Sequence, residues 1–269
     1  MFHFAPISDT ELDGLRQQCY QSLTAPLDGM WDGLIHRAVI KGIFYRNDCI
    51  GYLCHDQAFT LINFFIAEAW LNRRAEIFAQ LLKTEAFPQA YVSTNHPAFL
   101  TACMEFAKRV SVYYYLFEDL KSQSLQPMLS PEFIETDFLQ ADENDIEKIV
   151  SFCQQTTTAD KAWLSSYIQE WVDKEGIYYL LQKGEILGIC EIRRSDTQAG
   201  YADLGAIVSA RYREKGLGTY LMLKGKSICY DRGLQPICSC RYDNAGSKRM
   251  IENAGFVNKN LMLKVSFLI

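Results

Sequence analysis

Apolar residues recur at helical spacing near the start of each half of this 269-residue chain. In both halves they follow the order i, i+3 and i+7, which is the spacing of one buried face of an amphipathic helix. They are Leu12, Leu15 and Cys19 in the first half, and Ile146, Ile149 and Cys153 in the second. The second set lies 134 positions after the first, and Phe4 and Phe138 keep the same offset. The pattern predicts two copies of one structural unit.

Strand patterns repeat with the same offset. Residues 42–45 (GIFY) and 176–179 (GIYY) are each followed by a polar turn and a second apolar run, so each half predicts a β-hairpin. With gaps, the strands predicted at 60–66, 90–95 and 113–117 correspond to those at 202–208, 237–244 and 261–265. The alternation of strands and helices predicts an α/β fold with a mixed sheet in each half.

A linker is predicted between the two copies. Residues 121–131 are rich in Ser and Gln and contain Pro127 and Pro131. We therefore expect a first domain at 1–120 and a second at 132–269.

Composition narrows the class of protein. Hydrophobic residues make up 49% of the chain, and the net charge of −5 gives no support for a nucleic-acid or membrane partner. No apolar run approaches the roughly 20 residues that span a bilayer. The N-terminus carries Asp9 and Glu11 in place of the apolar core of a signal peptide. We expect a cytoplasmic protein.

Cysteine and histidine usage does not indicate a metal site. The nine cysteines include no C-x-x-C pair, and all four histidines fall in the first half without the spacing of metal ligands. We expect free thiols, as in a reducing compartment.

The most informative segment is residues 213–219 (REKGLGT), between the apolar run 204–208 and a helix predicted from Leu217 to Cys229. Backbone N–H groups at such a turn point outward, and the helix dipole adds partial positive charge, so the segment suits an anion. The flanking basic residues are Arg211, Arg213, Lys215, Lys224 and Lys226. The spacing matches neither G-x-G-x-x-G nor G-x-x-x-x-G-K-[ST]. We expect it to bind a pyrophosphate.

This loop, Arg-x-x-Gly-x-Gly after a strand, resembles the acetyl-coenzyme A loop of the GNAT (GCN5-related N-acetyltransferase) superfamily. A second block, Asn244-Ala245-Gly246-Ser247 followed by residues 250–256 (MIENAGF), resembles the later motif of that family. The resemblance covers about residues 133–269. It implies two tandem domains, each a mostly antiparallel, splayed sheet flanked by helices. It also implies direct transfer of an acyl group from acetyl-CoA, the co-substrate, to an amine.

The resemblance also implies the residues that contact acetyl-CoA. The pyrophosphate would be bound by the backbone of Arg213, Glu214, Lys215, Gly216, Leu217, Gly218 and Thr219. Ala206, Ile207 and Val208 would pair with the pantetheine amides, and an N–H of Ile207 or Val208 would face the thioester carbonyl. Asn244 and Ser247 would contact the pantetheine arm.

The proton carriers do not follow the family pattern. Many members place a Tyr seven residues after the Asn, and here that position is Ile251. The candidate bases are Asp203 and Glu191, on neighbouring strands, with Tyr201 and Tyr242 as further possibilities. The second half contains no histidine.

The first copy lacks the glycine loop. The corresponding residues 70–76 read WLNRRAE, without glycine and with Glu76 near the phosphate position. The sequence thus predicts a tandem GNAT protein with a degenerate N-terminal copy.

The leading interpretation is an acetyl-CoA-dependent N-acetyltransferase, monomeric or homodimeric, acting on an amine of a small molecule or peptide. A non-catalytic CoA sensor or protein-interaction module is the alternative. An aminoacyl-tRNA donor is disfavoured by the net negative charge. Trp163, Tyr167 and Trp171 could line a pocket, but their near-helical spacing favours the core.

Overall fold

The computed structural model describes residues 1–120 and 128–267. The chain forms two compact units. The first comprises Met1–Leu116 and the chain from Lys259 onward, and the second lies within Phe117–Asn258. Most of the predicted linker, 121–127, lies outside the described residues. The boundaries between the units fall inside two strands, since residues 107–119 and 256–267 are both strands.

The first unit begins with a strand, two helices and a hairpin. Its elements are β1 (Phe2–Ala5), α1 (Asp9–Ser22), α2 (Gly29–His36), β2 (Val39–Tyr45), β3 (Asp48–His55), β4 (Thr60–Ile66), α3 (Arg74–Glu85), β5 (Gln89–Ser93), α4 (Pro97–Glu105) and β6 (Ala107–Asp119).

The second unit repeats this order. Its elements are β7 (Asp137–Gln140), α5 (Ile146–Thr156), α6 (Lys161–Asp173), β8 (Ile177–Gln182), β9 (Glu185–Arg194), β10 (Tyr201–Val208), α7 (Leu217–Asp231), β11 (Gln235–Arg241), α8 (Ala245–Asn253) and the first three residues of β12 (Phe256–Phe267), whose other residues belong to the first unit. The predicted repeat and the predicted mixed α/β fold are confirmed.

The strands of each unit pair mostly antiparallel, with one parallel pair in each unit. In the first unit the strand order is β1-β2-β3-β4-β5-β12-β6, and β4 and β5 are parallel. In the second the order is β11-β10-β9-β8-β7, and β10 and β11 are parallel. The last part of β12, which belongs to the first unit, pairs antiparallel with β5.

Local chemistry explains the hairpins and helix starts. Arg46 takes φ 56° at the β2–β3 turn, and Lys183 and Gly184 take φ 50° and 81° at the β8–β9 turn. Two-residue hairpin turns require this left-handed backbone. The side chains of Ser8 and Asp160 accept N–H groups of α1 and α6, which caps these helices.

The predicted helix faces are buried. Leu12, Leu15 and Cys19 lie in the core of the first unit, and Ile149 and Cys153 lie in that of the second with Ile146 at its margin. Trp163 is a correction: it is 57% exposed, because it lies on the outer side of Tyr167 and stacks on that ring at a centroid distance of 4.9 Å. None of the helices in the described residues is long and apolar enough to span a membrane.

Candidate active site

The parallel strands β10 and β11 pair only at their beginnings. The register contains three pairs, from Tyr201–Gln235 to Asp203–Ile237, although β10 continues to Val208 and β11 to Arg241. The two strands therefore diverge after Asp203 and form a fork. Ala206, Ile207 and Val208 lie on the β10 side of this fork and are half-buried. Their backbone on that edge is available to a ligand that pairs like a strand.

The loop from β10 to α7 has the backbone of an anion cradle. Glu214 has φ 62° and Gly216 has φ 83°, so the backbone is left-handed at two positions before α7 begins at Leu217. No side chain caps this helix. The N–H groups of Leu217, Gly218 and Thr219 have no partner inside the helix, whose ladder begins with Tyr220 donating to the Gly216 carbonyl (3.0 Å). Anions bind readily at such a terminus.

The basic side chains around the loop divide into two groups. Arg211 is 75% exposed, and Lys215 lies 3.3 Å from the Glu132 carboxylate near the surface. Lys226 is a correction to the sequence-based assignment. It is buried, pairs with Asp119 at 3.0 Å and donates to the Ala254 carbonyl at 2.9 Å. Because it points into the second unit's interior, Lys226 stabilises the fold and is not a cofactor ligand.

The far side of the fork carries the second motif. The Asn244 side chain caps α8 by accepting the Ser247 N–H at 3.0 Å. Asn244 is exposed, and Ser247, in the first turn of α8, is half-buried. Ile251, at the position where the family resemblance implies a Tyr, is buried. It supplies no proton, so that position has no acid.

The two candidate carboxylates are joined by one arginine. Arg193 donates to Asp203 at 2.8 Å and to Glu191 at 3.2 Å. The Tyr167 hydroxyl donates to the same Glu191 oxygen at 2.9 Å and accepts from Arg193 at 3.0 Å. The Glu191, Arg193 and Asp203 side chains lie on the sheet face covered by α5 and α6, because they are two or four residues along their strands from Ile189 and Ile207, which face that core. The Tyr167 side chain reaches them from α6.

Electrostatics fix the protonation states of Arg193 and Tyr167 in this cluster. Burial by itself lowers the pKa of the Arg193 guanidinium, but Asp203, Tyr167 and Glu191 outweigh it, so the pKa is raised well above its ordinary value. Burial, and next the Glu191 charge, raise the pKa of Tyr167. The arginine is therefore charged and the phenol protonated at neutral pH, which leaves the phenol able to donate to Glu191.

The cluster lies where the fork opens. Glu191 is in register with Gly205, two residues past the last β10–β11 pair. A side-chain Cβ at position 205 would lie 3.3 Å from the Glu191 carboxylate. Glycine therefore leaves room for this carboxylate beside the strand edge. The sequence pattern missed Arg193 and the hydroxyl of Tyr167. The available signal was the spacing of two residues between Glu191 and Arg193, which places both side chains on the same face of a strand.

The first unit has a fork of the same kind, but its fork is filled. β4 and β5 pair only at Thr60–Gln89 and Leu61–Ala90. Phe99, the third residue after the helix cap as Ser247 is in the second unit, is buried against Phe64 at a centroid distance of 6.2 Å. A 3-10 helix, Glu68–Arg73, replaces the glycine loop.

A salt bridge also covers the helix start of the first unit. Arg73 makes a two-pronged contact with Glu76, at 2.9 and 2.8 Å, at the beginning of α3. The arginine is therefore occupied by an internal carboxylate at the position that corresponds to the phosphate cradle. This arrangement agrees with a degenerate first copy.

Comparison with known proteins identifies the family. Residues 8–120 match the model of an acetyltransferase (GNAT) domain, and residues 143–256 match that of the acetyltransferase (GNAT) family. The chain belongs to the GNAT family as a tandem, two-domain member. None of the curated protein sequences compared with the chain matches it significantly.

Solved structures share the fold along the whole chain. A GNAT-family acetyltransferase from Colwellia psychrerythraea is 22% identical, with a TM-score of 0.91 and 100% of both chains covered. A GCN5-related N-acetyltransferase from Sphaerobacter thermophilus is 12% identical, with a TM-score of 0.70 and 98% of this chain and 94% of that one covered. A tandem GNAT protein from the clavulanic acid biosynthesis pathway is 14% identical, with a TM-score of 0.67 and coverage of 99% and 98%.

Proposed function

We propose that the second unit transfers an acetyl group from acetyl-CoA to an amine of a small molecule or peptide. The observation that carries this proposal is the fork between β10 and β11 beside an uncapped, glycine-containing helix start. A pyrophosphate fits the cradle at α7, and an extended amide-bearing arm fits the open edge of β10. We further propose that the protein acts in the cytoplasm as a monomer or homodimer, with domains at 1–120 and 132–269.

Each part of acetyl-CoA has an assigned set of residues in this proposal. The loop from Arg213 to Thr219 holds the pyrophosphate through backbone N–H groups. Ala206, Ile207 and Val208 pair with the pantetheine arm, and Asn244 and Ser247 line its other side. Ala206, Ile207, Val208 and Ser247 are half-buried, which limits the access of water to the arm from those positions.

Proton removal is assigned to Glu191. Its carboxylate accepts hydrogen bonds from Arg193 and Tyr167 and lies beside Gly205, at the opening of the fork. As the amine nitrogen attacks, the C–N bond forms and the C–S bond breaks; the amine proton passes to Glu191, and the thiolate is protonated from solvent. Asp203, only 3% exposed, orients Arg193. Between the two candidate bases, the geometry favours Glu191.

Calorimetric titration tests the proposal. We expect acetyl-CoA to bind with a stoichiometry near one per chain, because the fork of the first unit is filled by Phe64 and Phe99. A screen of primary amines, monitored by release of free CoA thiol, should then yield an acceptor. Two equivalent binding sites would contradict the degenerate first copy. Tight binding with no acceptor in a broad screen would favour the non-catalytic CoA sensor, which the buried Ile251 in place of an acid also favours.

The cradle can be tested with a matched pair of glycine variants. Gly216 and Gly184 both have a left-handed backbone, at φ 83° and 81°, and an added Cβ would meet no described atom within 4 Å at either site. Gly216→Ala and Gly184→Ala should therefore each lose about 1–2 kcal/mol of stability from backbone strain. Only Gly216→Ala should weaken acetyl-CoA binding, by roughly 10- to 100-fold, which corresponds to one lost hydrogen bond to a charged group.

Titration of both variants at a temperature where each is folded separates strain from binding. Equal affinities in the two variants would show that the loop does not hold the pyrophosphate.

A further inference from the structure

The first unit contains a pocket that the proposed acyl transfer does not use. Its volume is about 460 Å³, within the range of sites that hold small molecules. It is bounded by α2, by the turn between β3 and β4, and by residues of β4, β5 and β6. Every lining residue belongs to the first unit.

One wall of the pocket is aromatic. The Trp31 and Tyr91 rings meet edge to face at 5.5 Å, and Tyr91 stacks on Tyr113 at 4.6 Å. These contacts hold the rings in fixed orientations. Ile62 adds an aliphatic side chain to the lining. Such a wall accommodates an aromatic or branched apolar group, and the ring faces also attract an ammonium group.

The pocket also carries one group of each charge. Asp56 Oδ1 accepts the N–H groups of Ala58 and Thr60 at 2.9 and 2.8 Å, which fixes the carboxylate in the turn and leaves Oδ2 for a ligand. After burial and Tyr113, the Asp56 charge contributes to the raised pKa of Tyr91, so this carboxylate acts on the aromatic wall. Arg37 is the opposite charge, and no carboxylate among the described residues forms a salt bridge with it.

We propose that this pocket binds a free amino acid with an aromatic or branched apolar side chain. The ammonium group would pair with Asp56, the carboxylate with Arg37, and the side chain would contact Trp31, Tyr91 and Tyr113. A simple amine would pair only with Asp56 and a simple carboxylate only with the exposed Arg37, whereas a zwitterion makes both contacts. Both charges on one small pocket therefore favour a zwitterion.

Binding at this pocket is not followed by acyl transfer. The fork of the first unit is filled by Phe64 and Phe99, and Arg73 and Glu76 pair where the phosphate cradle would be. The first unit thus keeps a ligand pocket without a place for acetyl-CoA. This gives the first unit a binding function of its own, independent of the activity proposed for the second.

Calorimetry on the full chain with Phe, Tyr, Trp, Leu, Ile and Val tests this inference. At least one should bind at one site per chain, and its amide and its N-acetyl derivative should each bind at least about tenfold more weakly. Asp56→Asn should weaken the free amino acid and the amide at least about tenfold, because Asn can still accept both turn N–H groups but lacks the charge. Arg37→Gln should weaken the free amino acid but not the amide, which has no carboxylate to lose.

Arg109→Gln, an exposed substitution on β6 outside the pocket lining, is the matched control and should leave the affinity unchanged. The inference is overturned if none of the six amino acids binds, or if Asp56→Asn binds them normally. It is also overturned if Glu191→Gln abolishes binding while Asp56→Asn does not, because the ligand would then occupy the second unit.

Discussion

Replacing Glu191 by glutamine is expected to slow acetyl transfer by about 100-fold or more, with little change in acetyl-CoA affinity. Gln has nearly the same shape and can still accept the Tyr167 hydrogen bond, but it cannot take a proton from the amine. General bases contribute about 10²- to 10⁴-fold in rate. The cradle at α7 is untouched, so the Kd measured by calorimetry should hold while kcat falls.

The pH–rate profile separates a base from a structural carboxylate. A base works only when deprotonated, so wild-type activity should fall as the pH falls, and Glu191→Gln should lose this acidic limb. An acceptor of low basicity should be used, since its amine is already unprotonated at neutral pH and adds no limb of its own. The fall then reports on the enzyme.

Three further variants test whether Glu191, and not a neighbouring side chain, is the base. Asp203→Asn should reduce the rate less and keep the acidic limb, because Asp203 contacts Arg193 and lies deeper than Glu191. Tyr167→Phe removes one hydrogen bond to Glu191 and should also keep the limb. Glu170→Gln, an exposed carboxylate on α6, should match the wild type. If Glu191→Gln retained the wild-type profile and Asp203→Asn lost the limb, Asp203 would be the base.

The architecture of the chain was predictable because its signals are local and repeated. The apolar faces of α1 and α5 repeat with an offset of 134 residues, and each half also has a hairpin turn, at Arg46 and at Lys183. The start of α7 at Leu217 was predicted from Gly216 and Gly218, since glycine marks a strand-to-helix turn of unusual backbone.

The environment of individual side chains was harder to predict, because it depends on contacts between distant segments. Lys226 follows the glycine loop and is basic, so it was assigned to the anion site. Its helical position, one turn past Met222, instead turns it inward to Asp119, which lies 107 residues earlier. The role of Arg193 likewise depends on its hydrogen bonds with Asp203 and Tyr167, which lie on two other elements. Only the fold brings these groups together.

The degenerate character of the first copy was partly visible in sequence. The missing glycines and the presence of Glu76 were evident, and the structure adds the pair formed by Arg73 with Glu76. The position of Phe99 at the fork was not evident. A phenylalanine three residues after a helix cap does not by itself predict this contact, which depends on the divergence of β4 and β5.

Replacing Lys226 by methionine is expected to destabilise the second unit by about 3 kcal/mol. Lys226 and Asp119 are almost fully buried, with 8% and 1% of their side chains exposed. Removing one partner of a buried ion pair leaves an uncompensated charge and costs about 3–5 kcal/mol. The Tyr230 hydroxyl also donates to Asp119 and keeps the loss near the lower end. Urea unfolding followed by circular dichroism measures the change.

A double variant also removes the charge that Asp119 would carry without Lys226. Asp119→Asn combined with Lys226→Met should regain more than half of the lost stability, because Asn can still accept from Tyr230 and is neutral. Lys224→Met is the matched control on the same helix. Its ammonium lies over Phe138 at 5.6 Å as a half-exposed contact, so the loss should be about 0.5–1 kcal/mol.

Acetyl-CoA affinity decides between the two roles that Lys226 could have. Under conditions where the variant is folded, Lys226→Met should bind acetyl-CoA as tightly as the wild type, since its ammonium group points to Asp119 and the Ala254 carbonyl. Lys215→Met, on the loop itself, should bind more weakly and lose little stability, because its contact with Glu132 is near the surface. A Lys226→Met variant with normal stability and weakened binding would reverse the assignment and return this lysine to the cofactor site.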